Sequence, residues 1–96
     1  MEKSSKLAQV QITIFGDVQG VGFRYNVVEI ARDLGLVGWV RNREDGAVEI
    51  VAEGPKKQLE NFVTWAKQGP PLAKVESSLA SWRQSSGEFS GFEVRY

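Results

Sequence analysis

The fold of this chain is decided by a glycine-rich stretch that separates a strand pattern from a helix pattern: Gly16-Asp17-Val18-Gln19-Gly20-Val21-Gly22-Phe23-Arg24. Before this stretch, which we call the glycine loop, Val10, Ile12 and Ile14 alternate with polar residues, as in a half-buried strand. After it, apolar residues recur at helical spacing and stop before Gly35, a suitable C-cap. The glycine loop is therefore predicted to join a first strand, residues 8–15, to a first helix.

A hairpin and a second helix follow. Residues 36–41 and 47–53 are rich in β-forming side chains, and the Asp45-Gly46 pair between them is a strong hairpin signal. Pro55 suits the first position of the second helix. The apolar stripe of that helix consists of Leu59, Phe62, Val63 and Ala66. Beyond a Gly-Pro-Pro stop at residues 69–71, the sequence predicts a fourth strand over residues 75–83 and a short terminal strand, with Phe92, Val94 and Tyr96.

The predicted order is βαββαβ with one extra C-terminal strand, which gives two similar βαβ halves. Right-handed crossovers place both helices on one face of a mainly antiparallel sheet, an α+β architecture. Residues 1–6 are short, polar and charged and are predicted to form a flexible tail, with residues 7–96 as one domain. Phe15, Val37 and Trp39 fall on the opposite sheet face, where we expect the tail or a loop to shield some of them.

The composition excludes several classes of site. Twelve Lys and Arg residues balance twelve Asp and Glu residues, so no global cationic field favours nucleic acid or an anionic membrane. With no Cys and no His, the chain has no thiolate nucleophile, imidazole base or Cys/His zinc site. The carboxylates are scattered singly apart from Glu44-Asp45 in the predicted turn, so we expect no metal and no cofactor. No apolar run suits a membrane span or a signal peptide, and we expect a cytoplasmic protein.

The glycine loop carries the chemistry that the composition leaves open. A glycine-rich turn that runs from a strand into a helix start aims backbone N–H groups at one point, where the helix dipole also favours an anion. Arg24, at that helix start, loses ~0.3–1 kcal/mol against the dipole unless an anion lies between them. A guanidinium can also hold two phosphate oxygens at once. The alternative is that the glycines only form a tight turn between the strand and the helix, and that Arg24 pairs with Asp17 or is exposed to solvent. The loop fits neither a Walker motif nor a dinucleotide fingerprint, which disfavours a nucleotide.

Asn42 ends the second strand just before the hairpin turn. Its amide accepts with oxygen and donates with nitrogen, so it can orient a nucleophile without a change of charge. Asn is also a preferred turn residue that caps its own backbone, and the bare sequence leaves this alternative open.

The glycine loop resembles the phosphate-binding signature of the acylphosphatase family. The segment Gly35-Leu36-Val37-Gly38-Trp39-Val40-Arg41-Asn42, followed by Asp45-Gly46-Ala47-Val48-Glu49-Ile50, is similar to the family's second block. Glu53-Gly54, Gly69-Pro70 and Phe92-Glu93-Val94 fall where its later landmarks do, so the resemblance covers residues 7–96.

The resemblance implies a ferredoxin-like α/β sandwich and an acylphosphate phosphohydrolase, which cleaves acyl phosphates into a carboxylate and inorganic phosphate. It implies that backbone amides of Gln19, Gly20, Val21, Gly22, Phe23 and Arg24 cradle phosphate, that Arg24 binds it and that Asn42 positions the attacking water. It further implies no metal, no cofactor and no phosphoenzyme, and that phosphate or sulfate can occupy the site. Family members commonly carry a basic or neutral residue where this chain has Asp17, which we expect to point to solvent.

Two other functions remain open at this point. A ferredoxin-like fold also serves non-catalytic modules that bind RNA or a small anion, and Phe15, Trp39 and Arg41 make a thin version of an RNA-binding sheet. An acylphosphatase-like module also occurs in larger carbamoyl-transferring assemblies. The zero net charge argues against RNA, and a stand-alone monomeric enzyme is the simpler expectation.

Overall fold

The structure, a computed structural model, describes residues 6–96. Its elements follow the order β1, Leu7–Asp17; α1, Phe23–Asp33; β2, Val37–Asn42; β3, Val48–Pro55; α2, Lys56–Gln68; β4, Lys74–Arg83; and β5, Phe92–Val94. This confirms the predicted order of βαββαβ with an extra C-terminal strand. The predicted ends differ from the observed ones by one or two residues, the usual margin at element termini. Pro55 ends β3 and precedes α2 rather than occupying its first turn.

The strands form one sheet in the order β4-β1-β3-β2-β5. β1 pairs antiparallel with β3 and with β4, and β2 pairs antiparallel with β3. β5 pairs parallel with β2, so the sheet is mixed and mainly antiparallel. The ferredoxin-like α+β prediction is confirmed. The pairing of β1 with β4 shifts register between Phe15 and Gly16, just before the loop that leads to α1.

Both helices pack on the same face of the sheet and share one core. Val10, Ile12 and Ile14 of β1 are buried there, as the alternation predicts. The buried residues of the helices are Phe23, Val27 and Ala31 of α1 and Leu59, Phe62, Val63 and Ala66 of α2. Burial of each Phe, Leu or Val side chain in this set stabilises the fold by about 1.5–3 kcal/mol, so the two apolar stripes hold both helices on the sheet.

The opposite sheet face is partly covered by the connection between β4 and β5, residues 84–91, which we call the crossover. β4 and β5 lie at the two edges of the sheet, so the crossover has to span its width. Glu53 of the central strand β3 holds it: the backbone N–H groups of Ser86 and Gly87 donate to its carboxylate at 2.7 and 3.1 Å, and Ser85 Oγ donates at 3.0 Å. A loop therefore does shield part of this face.

Residues 1–5 of the predicted tail lie outside the described residues. The carbonyl of Lys6 accepts a hydrogen bond from the backbone N–H of Lys56 at 3.0 Å, where α2 begins. Within residues 6–96, no helix is long and apolar enough to cross a membrane.

Candidate active site

The carboxyl ends of three strands lie side by side at one edge of the sheet, the edge formed by strand ends rather than by an outer strand. β1 and β2 are both antiparallel to β3, and β5 is parallel to β2, so all three run in the same direction. Their carboxyl ends bring together the loop that follows Asp17, the side chain of Asn42 and the segment after Val94. α1 also begins at this edge, with its N-terminus among these groups.

Two glycines shape the loop between β1 and α1. Gly20 and Gly22 have φ angles of 77° and 80°, which residues with a Cβ rarely adopt. A Cβ would meet nothing within 4 Å at Gly20 and only the Asn26 amide, at 3.6 Å, at Gly22. The backbone angle, rather than a lack of space, therefore requires glycine. Gly22 is the N-cap of α1, and no side chain caps that helix start.

The loop leaves a series of donors without partners. In the described part of the chain, no loop or turn hydrogen bond to a backbone carbonyl is donated by the backbone N–H groups of residues 19–25. The first hydrogen bond of the helix runs from the N–H of Asn26 to the carbonyl of Gly22 at 3.1 Å. The first turn of α1 contains no acidic residue. Unpaired N–H groups at a helix start, together with the positive end of the dipole, favour an anion.

Arg24 adds a positive charge at the same point. Its side chain is half-buried and its guanidinium lies over the Tyr96 ring, 5.4 Å from the centroid. The ion pairs among residues 6–96 join Arg41 to Glu49 and Arg43 to Asp45, so Arg24 has no carboxylate partner in this part of the chain. The alternative pairing of Arg24 with Asp17 is not observed. Asp17 is exposed, as expected, and lies opposite Lys74 in the sheet.

Asn42 supplies an unpaired acceptor. It lies opposite Val48 on the face of the sheet that carries the helices. Its Oδ1 is the one buried side-chain polar atom without a hydrogen-bond partner among residues 6–96. A buried acceptor without a donor costs about 1–3 kcal/mol, which a bound O–H donor would offset. The turn-capping alternative would satisfy this oxygen internally, and the structure does not show such a bond.

These groups share one cavity of about 430 Å³. Gly20, Gly22, Arg24 and Asn42 line it, together with Val94 and Tyr96. Of the other residues in the predicted phosphate-binding loop, Gln19, Val21 and Phe23 are not among the lining residues. Phe23 is buried with its ring edge against Trp65 at 5.9 Å, and Val21 packs against the core. The side chains of Val21 and Phe23 therefore attach the loop to the core.

The Gln19 side chain makes two hydrogen bonds that its position in the loop does not predict. Its Nε2 donates to the carbonyls of Arg43 and Ala47 at 2.8 and 2.9 Å, which ties the glycine loop to the β2–β3 turn. That turn is itself braced, because Asp45 accepts from the Ala47 N–H and from Arg43 Nη2 at 3.1 and 2.7 Å. These two bonds lower the pKa of Asp45 below its ordinary value. The Gln19 side chain therefore links the loop to the strand end that carries Asn42.

Asn26, on the first turn of α1, also supports the loop. Its Nδ2 donates to the carbonyl of Gly22 at 2.8 Å, and its backbone N–H donates to the same oxygen. The N-cap glycine is thus held through its carbonyl. An Asn four residues after a loop glycine is the only sequence signal for this contact, and it is a weak one.

The structure also bears on metal binding and on the RNA alternative. Residues 6–96 contain no group of three or more acidic side chains close enough to hold a metal ion. Trp39, on the sheet face opposite the helices, has the guanidinium groups of Arg41 and Arg95 at 5.6 and 5.0 Å from its ring. Arg41 is paired with Glu49 at 2.8 Å. The aromatic and the cations of this patch are therefore already engaged with one another and with a carboxylate.

Comparison with known proteins identifies the family of this chain. The acylphosphatase family model matches residues 10–94. An acylphosphatase from Acaryochloris marina is 49% identical over 85 residues, 88% of this chain and 90% of the relative. One from Pelotomaculum thermopropionicum is 44% identical over 89 residues, 93% of this chain and 97% of the relative. The crystal structure of acylphosphatase from Bacillus subtilis superposes with a TM-score of 0.89 at 44% identity, covering 93% of this chain and 99% of that one. The chain therefore belongs to the acylphosphatase family.

Proposed function

We propose that the cavity beside Arg24 and Asn42 is the active site for the family's reaction, the hydrolysis of the carboxyl–phosphate bond of acyl phosphates. The backbone N–H groups of residues 19–24 and the Arg24 guanidinium bind the phosphate, and Asn42 orients the attacking water. One observation carries this proposal: the cavity is lined by a guanidinium without a carboxylate partner among residues 6–96, by two loop glycines, and by Asn42, whose buried Oδ1 has no hydrogen-bond partner among the same residues. The first two favour an anion, and the third requires a donor such as water.

The reaction follows from positioning and electrostatics. The water oxygen forms a bond to phosphorus while the bond between phosphorus and the acyl oxygen breaks, and the electron pair leaves with the carboxylate. A carboxylate is a good leaving group, so no strong general acid is needed. The proton of the water passes to a phosphate oxygen. Arg24 and the loop N–H groups stabilise the charge that spreads over the transferred phosphoryl group. The proposal uses no metal, no cofactor and no covalent phosphoenzyme.

We also propose that the enzyme acts as a monomer in the cytoplasm. The support for the cytoplasm is compositional, since a fold without cysteine needs no oxidising compartment. Analytical ultracentrifugation tests the monomer directly: a single species of about twice the chain mass would contradict it.

The proposed site is tested by kinetics with an aryl acyl phosphate such as benzoyl phosphate in excess EDTA. We expect full activity in the chelator and competitive inhibition by inorganic phosphate. Loss of activity in EDTA, restored by a divalent cation, would overturn the metal-free mechanism. A crystal soaked in orthophosphate tests the binding site: phosphate bound elsewhere, with the glycine loop unoccupied, would contradict the assignment.

A further inference from the structure

The cavity extends well beyond the groups proposed to hold phosphate. Arg24, Val28 and Arg32 all line it, and they stand at intervals of four residues along one stripe of α1. At 1.5 Å per residue, the first and last of them are separated by about 12 Å along the helix axis. This length exceeds what a phosphate group needs. The remainder of the cavity is therefore available to the acyl part of a substrate.

The middle of this extension is apolar. Val28 on α1 and Val94 on β5 line it, and the tyrosines at positions 25 and 96 border it. Val28 and Val94 are half-buried and pack against the core, so this wall is fixed. A short hydrocarbon chain that runs from the phosphate along α1 would remove these side chains from water, which favours binding.

The far end carries a guanidinium held in place. Arg32 Nη2 donates to the carbonyl of Phe92 at 3.1 Å, which anchors the side chain to β5. A guanidinium has five N–H donors, so this bond leaves most of them for a ligand. Within the part of the chain that the structure describes, no carboxylate lies within ion-pair distance of Arg32. Glu29 also lines the cavity and is exposed, one turn closer to the phosphate end.

We propose that this extension is the acyl-group subsite and that Arg32 selects acyl phosphates whose short acyl chain ends in a carboxylate. The proposal rests on the proposed function, because it takes the phosphate to lie at Arg24. The substrate then presents one anionic group to each of the two arginines, with its hydrocarbon part between Val28 and Val94. Glu29 repels the distal carboxylate and limits the preference. Arg32 and Glu29 should therefore act in opposite directions on the same substrate.

The test compares two substrates with the same number of carbon atoms, succinyl phosphate, which ends in a carboxylate, and butanoyl phosphate, which ends in a methyl group. The measured quantity is the ratio of their kcat/KM values. We expect the wild type to prefer succinyl phosphate by ~10-fold, as one charge-assisted hydrogen bond provides. In Arg32→Gln this preference should fall ~10-fold through the KM of succinyl phosphate. In Glu29→Gln it should rise by ~2- to 3-fold, and added salt should reduce the wild-type preference.

Arg83→Gln, on the exposed edge strand β4, is the matched control and should leave the ratio unchanged. An equal loss on both substrates in Arg32→Gln would mean that Arg32 only supports β5 through Phe92, which overturns the proposal. So would an unchanged ratio in a folded Arg32→Gln protein. If that variant does not fold, Arg32→Lys provides the same readout and keeps the charge, so it should retain part of the preference. Failure of the wild type to hydrolyse either substrate would instead contradict the proposed function.

Discussion

Two regions of this molecule gather hydrogen-bond donors around a point where a negative charge belongs. At the crossover, the N–H groups of Ser86 and Gly87 converge on the carboxylate of Glu53, which also accepts from Gln9 Nε2 at 2.6 Å. At the glycine loop, which borders the cavity, no backbone acceptor among residues 6–96 pairs with the N–H groups of residues 19–25, and no carboxylate of these residues pairs with the Arg24 guanidinium. In the first region the donors are paired with a carboxylate, whereas in the second no carboxylate of residues 6–96 pairs with Arg24, and Glu29 lines the same cavity without such a pairing.

The difference separates a donor cluster that stabilises the fold from one that is available to a ligand. Glu53 is 2% exposed, and burial alone would raise its pKa. The hydrogen bonds from Ser86, Gln9 and Gly87 outweigh burial and lower its pKa from 4.5 to about 2. The charge of Glu53 is thus part of the folded state. At the glycine loop no carboxylate of residues 6–96 pairs with Arg24, and the Asn42 oxygen has no hydrogen-bond partner within the same range.

Removal of the Arg24 cation from the glycine loop should have the largest effect. We expect Arg24→Ala to lose inhibition by inorganic phosphate and to lower kcat/KM by ~10³-fold or more, because a guanidinium that stabilises a transferring phosphoryl group is worth that much. Steady-state kinetics with benzoyl phosphate measure this. Arg83→Ala, on the edge strand, is the control. An Arg24→Ala protein that is still inhibited by phosphate at the wild-type concentration would show that Arg24 does not bind it.

Removal of the unpaired acceptor should separate binding from turnover. Asn42→Ala should retain phosphate inhibition and lose ~10²-fold in kcat, comparable to the loss of one oriented polar group in an active site. The expected split arises because Oδ1 contacts water rather than phosphate. Asn61→Ala, on the exposed surface of α2, should behave as the wild type. Wild-type kcat in a folded Asn42→Ala protein, with the fold checked by circular dichroism, would refute the water-positioning role.

Neutralisation of Glu53, the carboxylate bound by the crossover, should lower the free energy of unfolding. Glu53→Gln replaces an acceptor carboxylate with an amide, so donors at Ser86 and Gly87 lose charge-assisted bonds, and unfolding should become easier by ~1–3 kcal/mol. Urea unfolding at pH 7 measures this change. Glu60→Gln, an exposed side chain on α2, is the matched control and should change little.

The same carboxylate predicts an acid transition. Because folding lowers the pKa of Glu53, its stabilisation is complete above the unfolded value of 4.5 and is lost as the pH falls towards about 2. The wild type should lose stability across this window more steeply than Glu53→Gln. Parallel pH profiles for the two proteins would show that Glu53 has no such role.

The smallest effect is expected at Asp17. Its side chain is exposed, lies opposite Lys74 and does not line the cavity, so Asp17→Asn should change KM by less than ~2-fold at physiological salt, where exposed charges are screened over ~8 Å. KM measured at two salt concentrations checks this. A large decrease in KM would mean that the carboxylate acts on the substrate after all.

Much of the fold could be predicted from local patterns. Alternation in β1 and the apolar stripes of both helices follow from the periods of two and 3.6 residues, and the buried residues of β1 and α2 include the predicted ones. Strand ends were less accurate, because pairing partners extend a strand past the point where its pattern stops: β1 continues to Asp17 opposite Lys74. The second role of Gln19 and the support from Asn26 could not be predicted, since both depend on carbonyls whose positions are set by the folded chain.

The sequence by itself determined the family, the order of elements and the residues that bring chemistry to the site, because these depend on residue identity and on spacing along the chain. Only the tertiary structure decided which groups meet. The direction of β1, β2 and β5 places the glycine loop, Asn42 and Val94 at one sheet edge, and the sheet order sends the crossover over Glu53. Contacts between residues distant in sequence depend on strand pairing and packing, which no local pattern encodes. For the same reason, only the folded chain shows that the crossover donors bind the carboxylate of Glu53, whereas Arg24 at the glycine loop pairs with no carboxylate of residues 6–96.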